Sequence, residues 1–126
     1  LADALETLLA QRRIAENAKR AALAHAQAQL EQAERRLANL ERDFARACRE
    51  IERTGTSLAA NLERAVEAAR SAVLLRRTET EELRSQALAA IREREIAEAL
   101  KRRRAAEYAA LQARKEEREL DEANQA

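Results

Sequence analysis

Apolar residues recur along the chain at alternating steps of three and four. Leu23, Leu30, Leu37, Phe44 and Ile51 fall seven apart, and Ala26, Ala33, Leu40 and Ala47 take the second position of the same frame. A seven-residue apolar repeat sustained over about four heptads predicts a helix that packs along a seam with another helix. Carried backwards, the frame collects Leu9 and Leu5 but also Arg12, Glu16 and Lys19. Three long polar side chains at seam positions predict a break over 12–19, or a local shift onto Ile14, Ala15, Ala18 and Ala22. Glu16 with Arg20 and Glu31 with Arg35 stand four apart in the favourable order. Each such pair adds about 0.3 kcal/mol to the helix.

The repeat stops at Arg53-Thr54-Gly55-Thr56-Ser57. Gly55 is the one residue that can end a helix in a left-handed conformation without steric cost. Thr56 or Ser57 can then supply the oxygen that caps the next helix. An uninterrupted rod through Gly55 is the competing reading and costs only about 1 kcal/mol. The boundaries expected for a hairpin are helix 1 over about 1–53, a turn over about 54–57 and helix 2 over about 58–122, all in a single coiled-coil domain.

Helix 2 carries a looser seam: Leu62, Val66, Ala69, Val73, then Arg76 and Arg77, then Thr80, Leu83, Ala87 and Ile91. Beyond a polar stretch come Ile96, Leu100, Tyr108, Leu111 and Leu120. In a hairpin turning at Gly55, facing residues have numbers summing to about 111. That sets Ile51 by Leu58 and Leu62, Phe44 by Val66, Leu37 by Val73 and Leu74, and Leu23 by Leu88. Arg76 and Arg77 fall near Glu34. Apolar meets apolar and charge meets charge, which favours the hairpin over the rod. The last dozen or so residues then overhang the first helix, on an arm of about 100 Å at 1.5 Å per residue.

Composition agrees with long helices and excludes a bulky core. Of 58 apolar residues 32 are Ala and 17 are Leu, with one Phe, one Tyr and no Trp or Met. Charged residues make up 37%, and the chain has no Pro and one Gly. This is the composition of long helices, and with the turn at Gly55 the expected fold is a two-helix antiparallel coiled coil in the all-α class. A seam so rich in Ala buries little area per layer, so the hairpin gains from a partner or from self-association. The net charge of +1 argues against nucleic acid, which asks for a clear basic excess. No apolar run approaches the length needed to span a membrane. The default compartment is cytoplasmic, and Arg outnumbering Lys by 21 to 3 suggests a GC-rich bacterial gene. The chain opens on Leu1 rather than Met, as a fragment would.

The inventory for catalysis is nearly empty. His25 is the sole histidine and lies off the seam. Cys48, the sole cysteine, reads as a small half-buried apolar residue rather than an activated thiolate. The Glu clusters lack the His or Cys that metal-ligand spacing requires, and a single Gly cannot make a phosphate loop. No catalytic residue, cofactor or metal site is therefore expected. Lys101-Arg102-Arg103-Arg104 spans more than a full turn, so it makes no flat patch. A solvated face is its plainest reading, followed by an acidic protein partner and then by an anionic lipid or nucleic-acid surface. Glu116, Glu117, Glu119, Asp121 and Glu122 make the chain's end acidic. Acids there oppose the helix dipole, so self-stabilisation does not explain them and a binding role does.

Glu93-Arg94-Glu95, Lys101-Arg102-Arg103-Arg104 and the run from Ala113 to Glu122, Ala-Arg-Lys-Glu-Glu-Arg-Glu-Leu-Asp-Glu, resemble the end of the FliJ/YscO family. Those proteins are central stalks of flagellar and virulence type III secretion export ATPases. The resemblance implies a non-enzymatic hairpin that inserts its paired termini into a hexameric secretion ATPase, activates it and contacts an export gate protein. It also implies escort of export chaperones. By this resemblance the ATPase-facing residues are Leu100, Arg102, Arg103, Tyr108, Leu111, Arg114, Glu117, Leu120, Asp121 and Glu122, with Leu5 and Leu9 on the other arm. Gate contacts fall nearer the middle and turn, where Phe44 is the one bulky aromatic. The alternative is a generic scaffold or tether that forms homo-oligomers through its seam.

Overall fold

The computed structural model describes residues 2–125. It contains α1 (Ala2–Arg49), a single helical turn α2 (Ile51–Thr54) and α3 (Thr56–Gln125), with no strand among the described residues. α1 and α3 pack antiparallel, making the chain an all-α helical hairpin. Cross-helix partners such as Lys19 with Gln86 and Glu16 with Arg94 have numbers summing to between 105 and 111, close to the expected register.

The helices reverse through a tighter device than a simple turn over 54–57. Glu50 leaves helical geometry at the end of α1, and α2 resumes at once, with the amides of Thr54 and Gly55 donating to the carbonyls of Glu50 and Ile51 at 2.9 and 2.8 Å. Gly55 then takes φ 81° and ψ 177°. The positive φ was expected, but this ψ lies outside the left-handed helical well, in a region open essentially to Gly alone. α3 starts directly at Thr56, so Thr56 and Ser57 lie inside its first turn rather than capping it from outside. A Cβ at position 55 would meet nothing within 4 Å. Gly55→Ala therefore isolates backbone strain, and urea unfolding should show a loss of about 1–3 kcal/mol. An unchanged midpoint would mean that the turn has an equally good alternative.

Packing divides into two units. The unit comprising residues 18–88 holds the turn. Its seam runs Leu23, Ala26, Leu30, Ala33, Leu37, Leu40, Phe44 and Ala47 on α1 and Ala59, Leu62, Val66, Ala69, Val73, Arg76, Thr80, Leu83 and Ala87 on α3, all buried or half-buried. Phe44 and Val66 line one cleft together, as the register required. Ile51, Leu58, Leu74 and Leu88 differ from expectation, for they are exposed. Helical phase and not side-chain size selects the inward positions. Leu58, Leu74 and Leu88 are out of phase with the buried positions of α3, while Ile51 keeps the spacing but lies in α2, after Glu50 has left helical geometry. Two polar seam residues are satisfied, one within α3 and the other partly across the helices. The Thr80 hydroxyl donates to the carbonyl of Arg76 at 2.7 Å, and the Arg76 guanidinium reaches Gln29 at 3.0 Å and Glu79 at 3.1 Å rather than Glu34. Cys48 is exposed rather than half-buried.

The other unit joins α1 up to Asn17 with α3 from Ala89 onward. Up to Glu16 the seam neither breaks nor shifts, whereas Lys19, the next polar residue of the frame, is exposed and Ala22 is half-buried. Ile14 is 70% exposed, and Ala15 is exposed too. Leu5, Leu9, Arg12 and Glu16 continue the original frame inward, facing Ala90, Arg94 and Ala97 on α3. Ala90 is buried more deeply than Ile91, and Ile96 points outward beside the buried Ala97. The polar residues hold seam positions because each finds an opposite partner across the helices, which an apolar reading of the frame does not register.

Candidate functional site

The start of α1 meets α3 around Lys101 to Leu111 in the second unit, and a polar layer sits beneath this meeting point. Glu16 is only 6% exposed. Arg94 donates from Nε to one Glu16 carboxylate oxygen at 2.8 Å and from Nη1 to Glu98 at 3.0 Å. The Glu16 hydrogen bond, then that of Glu98, raises the Arg94 pKa above its already high ordinary value. Arg13 approaches Glu98 at 3.5 Å, and Arg12 bonds Glu93 at 3.1 Å. The guanidinium fork suits this task because it can serve two carboxylates at once in fixed geometry.

Beyond this layer α3 continues in the same phase through Lys101, Arg104, Tyr108 and Leu111, and every described residue from Lys101 onward is exposed. Leu5 and Glu6 of α1 and Lys101, Arg104, Ala105, Glu107, Tyr108 and Leu111 of α3 line a cleft of about 480 Å³. Its floor is apolar and its rim is charged, with Glu6 facing Lys101 at 3.9 Å. Tyr108 and Leu111 are 65% and 61% exposed. Burying such side chains fully would contribute roughly 1.5–3 kcal/mol each, enough to anchor a partner.

Of the residues expected to face a partner, Leu5, Tyr108 and Leu111 come together in this cleft. Leu100 is half-buried, and Leu9, at 3% exposure, offers no surface. Arg103 pairs with Glu107 one turn on at 3.2 Å. Arg102, Arg114, Glu117, Leu120, Asp121 and Glu122 lie exposed along the tail outside the cleft. Glu6, Lys101, Arg104, Ala105 and Glu107 were not anticipated as cleft residues. The three-and-four stepping from Ala97 to Leu111 was the signal for Lys101 and Arg104.

The Flagellar FliJ protein family model matches residues 2–126. The chain belongs to the FliJ family. This is a non-catalytic family of cytoplasmic stalk proteins of flagellar and type III export, with partners in the export apparatus. No curated protein and no solved structure matches the chain. No helix among the described residues is long and apolar enough to cross a membrane, and no group of His, Cys, Asp and Glu there could hold a metal ion.

Phe44, the aromatic expected near a gate, is half-buried in the seam. The exposed apolar side chains of the turn-bearing unit are instead Ile51, Leu58, Leu74, Leu75 and Leu88.

Proposed function

We propose that this chain is the stalk and adaptor of a bacterial type III export system, inserting its paired termini into a hexameric export ATPase and raising that enzyme's activity. Membership of the FliJ family supports the setting. The observation that carries the reading is the exposed apolar stripe of Tyr108 and Leu111 beside Leu5, framed by a cationic segment and an acidic end. A shaft seated in a ring needs a rigid rod with an apolar anchor and mixed charges that can meet different subunit faces. A continuous helix over Thr56–Gln125 supplies the rod. Leu74, Leu75 and Leu88 are the surface we assign to the export gate, with chaperone escort as a further task of the same protein.

ATP turnover by the cognate hexamerising ATPase tests this. The wild-type chain should raise turnover and hexamer yield. Replacing Tyr108 and Leu111 together by Ala should raise the half-maximal stalk concentration at least about tenfold, since each loses more than 1 kcal/mol of burial. A cognate ATPase indifferent to the wild-type chain would overturn the reading.

A further inference from the structure

Another cleft lies in the turn-bearing unit. It measures about 670 Å³ and is lined by Arg35, Arg36 and Arg76, by Gln29, Gln32 and Asn39, and by an apolar floor of Ala33, Leu40 and Ala72. No carboxylate lines it. Arg76 is engaged with Gln29 and Glu79, but among the described residues neither Arg35 nor Arg36 is in an ion pair, including the pair expected between Glu31 and Arg35. Two free guanidinium groups over an apolar floor form a receptor for carboxylates that carry an apolar residue between them.

The chain itself contains such a segment. Glu117, Leu120 and Asp121 share one helical face, at steps of three and four, and Glu116 and Leu120 are four apart as well. Leu120 is 63% exposed. Among the described residues none of Glu116, Glu117, Glu119, Asp121 and Glu122 is in an ion pair. They also oppose the dipole at the end of α3, so the fold gains nothing from them. The chain thus leaves opposite charges unmatched at two places, each beside exposed or half-buried apolar surface. Its net charge of +1 sets up almost no long-range repulsion between copies.

We propose that the cleft around Arg35 and Arg36 receives the acidic tail of a second copy of this chain. Leu120 docks on the floor at Leu40, and the carboxylates of Glu117 and Asp121 pair with Arg35 and Arg36. The contact joins two different surfaces, so it is heterologous and permits short head-to-tail chains rather than only closed dimers. It goes beyond the stalk reading and bears on it, because a tail held by another copy is withdrawn from any other partner. Self-association would then store the protein until that partner competes for the tail.

Charge exchange tests this on the full-length chain. Wild type should associate in sedimentation velocity at low salt and dissociate as salt rises. Arg35→Glu with Arg36→Glu, and separately Glu117→Lys with Asp121→Lys, should each weaken association about tenfold. All four positions are exposed, and unchanged helical circular dichroism would confirm that the variants fold. An equimolar mixture of the two variants should associate again, since one supplies reversed cleft and the other reversed tail. A wild type that stays monomeric at every concentration and salt overturns the proposal, as does a mixture that fails to recover. Neither result touches the ATPase measurement, which stands or falls separately.

Discussion

Glu16→Ala should lower the melting temperature by several degrees and loosen the register of the two arms. The side chain is nearly sealed, and it holds the guanidinium of Arg94 at a seam position. Removing one partner of an enclosed ion pair leaves the other without its counter-charge, which costs more than the pair itself contributes. Here Glu98 retains Arg94 in part, so the helices persist while the interface weakens. The larger consequence concerns alignment. A seam of Ala and Leu repeating every seven residues tolerates a slip of one heptad, because apolar layers meet apolar layers again. The turn at Gly55 disfavours such a slip, and away from the turn the polar layers tell the registers apart. A slip would set Arg94 against Leu9 or Leu23, burying its charge on hydrocarbon. Replacing Glu16 and Arg94 together by Leu should therefore restore or exceed wild-type stability while admitting slipped registers. Spin labels on α1 and α3 should then report a second distance population displaced by about 10 Å along the helices, one heptad at 1.5 Å per residue. A double variant with a single wild-type distance would show that the turn and the apolar layers set the register without the charged pair.

Leu9→Ala should destabilise the hairpin by about 2–3 kcal/mol, the lower part of the range for deleting a buried Leu side chain, since a two-helix seam can close partly around the gap. At 3% exposure it has no face to offer until the arms separate. Leu111→Ala should do the reverse, leaving urea unfolding within about 0.5 kcal/mol because its side chain is 61% exposed. Its effect belongs to partner binding. Measuring both variants for stability and for ATPase stimulation separates support of the rod from contact with the ring. If Leu111→Ala unfolded as readily as Leu9→Ala, the exposed stripe would be part of the fold rather than a docking surface.

Most of the fold was legible because two simple periods carry it. The seven-residue repeat from Leu23 to Ala47, the lone Gly55 and the matching apolar positions from Leu62 to Val73 together specify two helices that turn and pair. The errors share one origin. Ile14, Leu74, Leu88 and Ile96 were placed inward because they are large and apolar, yet phase turns them to solvent, while Ala90 and Ala97 are buried. Arg12 and Glu16 were read as an interruption because polarity argues against burial. Their partners Glu93 and Arg94 lie about eighty residues away, and no local pattern announces that pairing. The candidate site was legible in its chemistry, the cationic stretch and the acidic end, but not in its geometry. That Leu5 shares a cleft with Tyr108 and Leu111, whereas Leu9 is sealed, depends on where the arms fall against each other.

The sequence by itself determined the helices, their reversal and the absence of a bulky core. Those follow from propensity, spacing and one permissive backbone position, all local properties. Tertiary structure alone decided which carboxylate meets which guanidinium, and which apolar residues remain uncovered. Both depend on the relative phase and axial alignment of two helices, which a seven-residue repeat alone leaves degenerate and which the turn and the buried charges fix together.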